Sequence, residues 1–298
     1  MSLLIKDESP EKLIGEDGKR LDGRDLNELR PIKMEVGVIP NADGSAYIEW
    51  GGNKIYAAVY GPREVHPRHD ARPDRGILRT FYRMTTFSVS ERKRPAPGRR
   101  EKEISMVIKN AIEPVLFLEL YPDSVVEVFI EVISADGGTR CACTAVAILA
   151  LADAGIPMKG LITAVAAGKV DGKLVIDCSG DEDKSGEADL PCAISWYNNQ
   201  IALLQFDGIM DLEEFDKSID QIIEALEKIR KLQEEALKKR YIDVRDHLKN
   251  YKPKVVTTNN IEEKIDSNNQ KNQNGGDQIE WVYQKYLCRL RENIYWKI

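Results

Sequence analysis

Apolar and polar residues alternate in short runs along the first third of the chain. Ile32-Lys33-Met34-Glu35-Val36 alternates as a strand with one covered face must. Ser45–Trp50 and Lys54–Tyr60 read as two further strands around Gly51-Gly52-Asn53, and Ile77–Met84 as a fourth. Asn41-Ala42-Asp43-Gly44 has turn chemistry, and residues 85–98 form a loop because Pro95, Pro97 and Gly98 interrupt them. The spacing then changes to helical over Arg99–Leu120, with Ile104, Val107, Ile108, Ala111, Ile112 and Val115 on one face. Val125–Ser134 is β-forming. Ala135–Thr139 turns into a helix from Arg140 to Ala154, which Gly155-Ile156-Pro157 terminates.

The second half repeats this organisation. Leu161–Val170 and Leu174–Cys178 flank an Asp171-Gly172 turn, and Leu190–Tyr197 and Ile201–Phe206 follow, joined by Asn198-Asn199-Gln200. Asp211 is a good N-cap for a helix to Arg240, with Phe215, Ile219, Ile222, Leu226, Ile229 and Leu232 as its apolar face. Two sets of strands, each followed by a helix, predict an α+β (α/β-like) fold of two pseudo-duplicated halves, although identity between them is weak. Residues 1–30 are polar and irregular, 31–250 are expected to form one folded domain, and 251–298 a disordered linker and C-terminal extension. Thr257–Gln278 is too rich in Asn, Gln and charge to bury a core and is expected to be disordered. Ile279–Ile298, with Trp281, Tyr283, Tyr286 and Trp296, reads equally as a docking helix or an extension without a role.

Composition changes this picture in one respect. The 298 residues carry a net charge of −6, which argues against a general nucleic-acid coat. Yet residues 62–100 hold eleven Lys/Arg against four acids, an excess of seven cations. Such concentration in an acidic chain predicts an anion site or path, the alternative being a solvated basic loop. Five cysteines lack metal-ligand spacing, and Cys141 and Cys143 in an apolar helix read as buried free thiols. The first ten residues become charged too early for a signal peptide, and no apolar run reaches membrane-spanning length. A soluble cytoplasmic protein without membrane contact is expected.

Four segments hold candidate chemistry. Gly137-Gly138-Thr139-Arg140, between a strand and a helix, offers backbone N–H groups, a helix N-terminus and a planar double donor to a phosphate-sized anion. An ordinary β–α loop would look the same. Arg99 and Arg100 open a helix, where cations oppose the macrodipole, so an anion site would explain them and a solvated basic cap would not need one. Asp183 and Asp189 could exchange a proton or hold a divalent ion, while Asp181 and Glu182 read as a solvated acidic loop. His66-Pro67-Arg68-His69 lacks a third ligand for zinc, and Arg68 reads instead as a phosphate-backbone contact.

Taken together, these segments are far more specific than any one alone. Asp17–Arg24, Asn41–Ala46, Val59–Glu64, His66–His69, Glu91-Arg92-Lys93 through Arg100, Gly138–Arg140, Leu151–Pro157 and Gly186–Asp189 occur in order over residues 10–245. The chain thereby resembles the RNase PH-type catalytic subunits of archaeal exosomes. The resemblance implies a fold of duplicated β/α halves and a 3′-to-5′ exoribonuclease that uses inorganic phosphate to release nucleoside diphosphates. It implies that Gly138, Thr139 and Arg140 bind phosphate and that Arg99 and Arg100 hold RNA near the scissile bond. Asp183 matches the family's general acid, Asp189 a carboxylate for catalysis or Mg²⁺, and Arg68 a loop that guides RNA. Implied partners are single-stranded RNA, a related non-catalytic subunit in a hexameric ring, and an RNA-binding cap subunit. The rival readings are a homohexameric tRNA-trimming RNase PH, a silent RNA-binding ring subunit and a small-molecule phosphate enzyme.

Overall fold

The computed structural model of the chain describes residues 12–250. The first half runs β1 (Ile32–Val36), β2 (Gly44–Trp50), β3 (Asn53–Glu64), β4 (Ile77–Met84), α1 (Arg99–Ile112), β5 (Ser124–Ser134) and α2 (Thr139–Asp153). The second half runs β6 (Ile162–Val170), β7 (Lys173–Ile176), α3 (Gly180–Ser185), β8 (Ala188–Ser195), β9 (Gln200–Leu204), β10 (Asp207–Gly208) and α4 (Leu212–Asn250). This is the expected α+β class with two strand–helix halves. The first sheet has the order β1-β2-β3-β5-β4, antiparallel except for the parallel β4–β5 pair, which α1 connects as a crossover. In the second sheet β6 lies between β7 and β8, and β9 and β10 pair along β8.

Helix α2 explains how the halves share one core. Every residue from Cys141 to Leu151 is buried. A helix apolar all round must be covered all round, and α2 packs on β2 and β3 of one sheet and on β6 and β8 of the other. Small residues (Ala142, Cys143, Ala145, Ala147, Ala150) let both sheets approach it. The α1 face Ile104, Ile108, Ala111 and Ile112 is buried as the periodicity predicts, and α4 contributes Ile222, Leu226 and Ile229. Leu232 is only half buried; the core position falls to Gln233, whose Nε2 donates to the Ala145 and Ile162 carbonyls at 3.2 Å each. Cys141, Cys143, Cys178 and Cys192 are buried free thiols.

Three expectations need correction. The helix expected to reach Leu120 stops at Ile112, because Pro114 has no N–H to donate and its ring excludes the preceding turn. Short 3-10 turns, Glu113–Val115 and Leu118–Leu120, take its place. The expected acidic loop at 180–185 is instead the short helix α3, and Glu182 within it is buried rather than solvated. The last helix runs past Arg240 to Asn250. The stretch expected to be disordered, the extension after it and residues 1–11 lie outside the described residues.

Beneath the junction of the two halves lies a polar network that the apolar pattern gives no hint of. Asp177 is 3% exposed and accepts from the Arg30 amide (2.8 Å), Arg30 Nη2 (2.6 Å) and Trp50 Nε1 (2.9 Å). Arg20 is equally buried. Its Nε donates to Glu182 Oε1 at 2.7 Å, its Nη2 to Glu182 Oε2, and its Nη1 to the Ile176 carbonyl at 2.6 Å. Burial opposes the Arg20 charge, but the hydrogen bonds and attraction of Glu182 outweigh it. Burial likewise works against ionised Glu182, and Arg20 with the Ser179 amide more than compensates, so Glu182 stays below its ordinary range. The N-terminal segment is irregular but bound by these arginines to the β7–α3 corner.

Removing one partner strands the other charge in the core, at a cost of about 3–5 kcal/mol. Arg20→Met is therefore expected to lower unfolding stability by that amount in urea titration, and Arg20→Met/Glu182→Met to recover much of it. An additive double mutant would show that the pair does not act as a unit.

Candidate active site

The cleft is built where α2, α3, β8 and the start of α1 meet. Gly137 and Gly138 both have positive φ, +66° and +65°, and so turn the chain from β5 into α2. Gly137 has a second constraint: a Cβ there would lie 2.6–2.8 Å from the backbone of Ser179 and Gly180. The close approach is fixed by Asn53, which accepts from the Asp136 amide (2.8 Å) and donates to the Gly137 carbonyl (2.7 Å). Asp136 in turn accepts from the Gly180 amide at 3.0 Å. The glycine turn and the acidic helix α3 are thus held against each other by the Asp136 carboxylate, with the Asn53 amide fixing the turn from the other side.

Gly138 caps α2 without a side-chain acceptor; the Cys141 amide donates to the Gly138 carbonyl at 3.1 Å, while the Thr139 and Arg140 amides before it have no acceptor inside the helix. Thr139 is buried and receives a 3.3 Å hydrogen bond from Tyr82, a fully buried phenol whose pKa burial pushes up, so it remains a donor at neutral pH. Arg140 Nε is buried and has no hydrogen-bond partner. A buried guanidinium N–H without an acceptor is costly unless an anion meets it. Within α3, Ser179 N donates to Glu182 at 2.7 Å and Glu182 turns inward to Arg20. That leaves the next residue, Asp183, exposed on the cleft side. Arg99 and Arg100 open α1, where Glu101 accepts from the Gly98 amide at 2.9 Å and supplies the anion that this helix end needs.

These elements enclose a recess of about 30 Å³ lined by Arg100, Gly138, Thr139, Arg140, Asp183 and Asp189, among others. It has the scale of one small inorganic group and not of a nucleotide. It adjoins a larger cleft of about 890 Å³ that adds Arg99, Lys184, Gln205, Phe206 and Asp207. Of the residues singled out from the sequence, the structure brings together Asp183, Asp189, Gly138, Thr139, Arg140, Arg99 and Arg100. It does not bring Arg68 to them. Ile77 pairs with Val125 and Met84 with Val132, so the loop before β4 and the turn after β5 lie at opposite ends of the sheet, roughly 25 Å apart. Arg68 sits there on an exposed 3-10 turn, 2.8 Å from Glu64.

Asp189 lies inside strand β8, not ahead of it, and faces Asp207 across the β8–β10 pair. Burial, then Asp183, push its pKa up to about 6; Arg140 and Arg100 pull it down and Asp207 adds to the rise. Asp207 and Tyr82 escape sequence reading because nothing local marks them. Asp207 becomes part of the site only through strand register, and Tyr82 through the packing of β4 on α2.

Comparison with known proteins identifies the family and the fold. Models of the 3′ exoribonuclease family match in two parts, domain 1 over residues 28–157 and domain 2 over 160–226, joining between the two halves. The chain is 56% identical over 233 residues to the exosome complex component Rrp41 of Thermococcus kodakarensis, covering 78% of this chain and 94% of that protein. It is 52% identical over 244 residues to that of Archaeoglobus fulgidus, covering 81% and 94%. Among solved structures, rice Rrp46 superposes with a TM-score of 0.66 at 23% identity over 74% of this chain and all of that one. An Archaeoglobus fulgidus exosome with RNA bound to the active site gives 0.64 at 24% identity, over 72% and 92%. At such identity these two establish the fold.

A raised carboxylate pKa is a stability statement. Below pH 4, Asp189 is protonated in both the folded and the unfolded chain and costs nothing. Between about 4 and 6 the unfolded chain loses its proton first, so stability falls as pH rises. Above 6 the penalty is constant, on the order of 3 kcal/mol. In the absence of divalent ions, Asp189→Asn is expected to stabilise the chain by that order at pH 7 and not at pH 4. Equal thermal melts at pH 7 would show that burial of Asp189 carries no penalty.

Proposed function

The chain belongs to the 3′ exoribonuclease family, among the Rrp41 components of archaeal exosomes, and we propose that this cleft carries its phosphate-dependent, 3′-to-5′ degradation of RNA. The observation that supports the assignment best is the small recess. It joins a glycine turn, a helix N-terminus, a buried guanidinium N–H without a partner and two carboxylates at one place. Inorganic phosphate bound by Gly138, Thr139 and Arg140 attacks the phosphorus of the last phosphodiester. The bond from phosphorus to the 3′ oxygen of the preceding nucleotide breaks, and that oxygen takes up a proton. The terminal residue leaves as a nucleoside diphosphate, and the RNA is one nucleotide shorter.

Arg99 and Arg100 hold the RNA phosphates in line and offset the negative charge that develops as two phosphoryl groups meet. Asp183 delivers the proton to the departing oxygen. Asp189 lines the same recess, and burial, with Asp183 adding to it, raises its pKa, which favours a proton or a cation at Asp189. Mg²⁺ suits such a pair. Asp183 and Asp189 offer hard oxygen donors, and no group of three or more His, Cys, Asp or Glu able to hold a metal occurs among the described residues. Substrate phosphate oxygens and water would complete the shell, which is the usual habit of this ion. When bound, it would neutralise phosphate charge and polarise the phosphoryl oxygens.

Backbone contacts read no sequence, which fits a general degrader. Arg68 acts at a distance, touching the RNA backbone on its way to the cleft. The chain works as one of the catalytic subunits in a hexameric ring with a related non-catalytic subunit, and an RNA-binding cap subunit delivers substrate. No helix of the described residues is long and apolar enough to cross a membrane, and the buried free thiols suit a reducing cytoplasm.

With 5′-labelled single-stranded RNA, Mg²⁺ and the assembled ring, shortening is expected only when inorganic phosphate is present, with nucleoside diphosphates released. Asp183→Ala should abolish it, and Arg140→Ala should raise the KM for phosphate at least tenfold. RNA binding without shortening would leave a silent RNA-guiding subunit. Arg68→Ala should weaken binding of long RNA and flatten its salt dependence, while very short oligonucleotides turn over normally. Equal loss on long and short RNA would place Arg68 elsewhere.

A further inference from the structure

We propose that Phe206 is a base-stacking platform for RNA in the cleft and that Gln205 beside it contacts the same nucleoside. The proposal rests on the cleft being the RNA site and names what recognises the bases there. The cleft lining is otherwise charged or small: Arg99, Arg100, Arg140 and Lys184 suit phosphates, and the carboxylates suit a proton or a cation. Among the described residues Phe206 is the one aromatic residue in it, with 48% of its surface exposed. Single-stranded nucleic acid is held by two devices, a cationic track for the backbone and an aromatic face for the bases. The arginines supply the first and Phe206 the second.

The ring is fixed in place. It meets Phe215 of α4 in a T-shaped contact, with centroids 6.4 Å apart and planes at 86°. The residues on either side are tied to the strand that carries the acid pair. Gln205 N donates to the Pro191 carbonyl at 3.1 Å, and Asp207 pairs with Asp189 in register. A base on Phe206 is therefore carried at a constant offset from Asp189, beside the bond to be broken. Gln205 lines the same wall, and its Oε1 is buried with no hydrogen-bond partner. A phosphodiester of the RNA backbone has no proton to offer that oxygen, whereas a ribose hydroxyl or a base N–H does. Both residues thus point to the nucleoside part of the strand. Stacking tolerates every base, so it adds hold without sequence preference.

The test uses the assembled ring, 5′-labelled oligoribonucleotides and the variants Phe206→Leu and Phe206→Trp, with single abasic residues placed in turn near the 3′ end. Phe206→Leu is expected to raise the KM for RNA roughly tenfold and to leave the KM for phosphate as it is, and Phe206→Trp to restore the RNA KM. One abasic position should penalise the wild-type ring and add nothing in Phe206→Leu, the mark of a shared contact. A wild-type RNA KM in Phe206→Leu, or equal abasic penalties in both rings, would overturn the proposal while leaving the active-site reading intact. So would failure of both variants to join the ring, which would assign Phe206 to a subunit interface. Absence of phosphate-dependent shortening in the wild-type ring would overturn the active-site reading and this proposal together.

Discussion

The buried arginine–carboxylate network around Asp177 and Glu182 is the constraint on which the site depends. Neither residue belongs to the cleft, yet each fixes a piece of it. Asp177 gathers Arg30 and Trp50 from the first half of the chain onto the corner after β7. Glu182 turns inward to Arg20 and so leaves Asp183 outward. A charge pair in the core is tolerated only when nearly all its donors and acceptors are met, and these are met mostly by backbone carbonyls and amides of the two halves. The geometry therefore leaves little freedom. Arg30, held by Asp177, also donates to the Asp136 and Gly137 carbonyls, so the same network reaches the glycine turn before α2.

The halves divide the chemistry between them. The first contributes cations and the glycine turn: Arg99 and Arg100 at one helix start, Gly138 to Arg140 at another. The second contributes carboxylates, Asp183 on a short helix and Asp189 on a strand. Opposite charges from separate halves meet only because α2, apolar all round, draws both sheets onto itself. This arrangement has a stability cost in the raised pKa of Asp189, whose charge is poorly compensated within the protein alone. An uncompensated carboxylate beside an uncompensated guanidinium N–H is what a site for a substrate carrying its own charges requires.

Much of the fold was legible in the chain. The alternation of Ile32–Val36, the i, i+3, i+4 face of α1 and the apolar run of α2 are local patterns, and local geometry produced the elements they implied. Where pattern and structure differ, the causes are physical. The α1 helix was extended because apolar spacing continues through Val115, while the missing N–H of Pro114 overrides spacing. Leu232 was placed in the core by periodicity, but over four turns the helix drifts, and Gln233 arrives there with two carbonyls to bind. Glu182 was read as a solvated acid because its partner, Arg20, is 162 residues away.

By itself the sequence determined the elements, the class of fold and, through motifs in fixed order, the family and the residues that meet at the site. These are properties of short segments: backbone propensity, turn chemistry and spacing. Tertiary structure alone decided which acid is perturbed, that Asp207 and Tyr82 stand at the site, that Arg68 stands far from it, and that an aromatic ring shares the cleft with the arginines. Each of those depends on strand register, burial and the field of distant charges, which exist only once the halves have closed on α2.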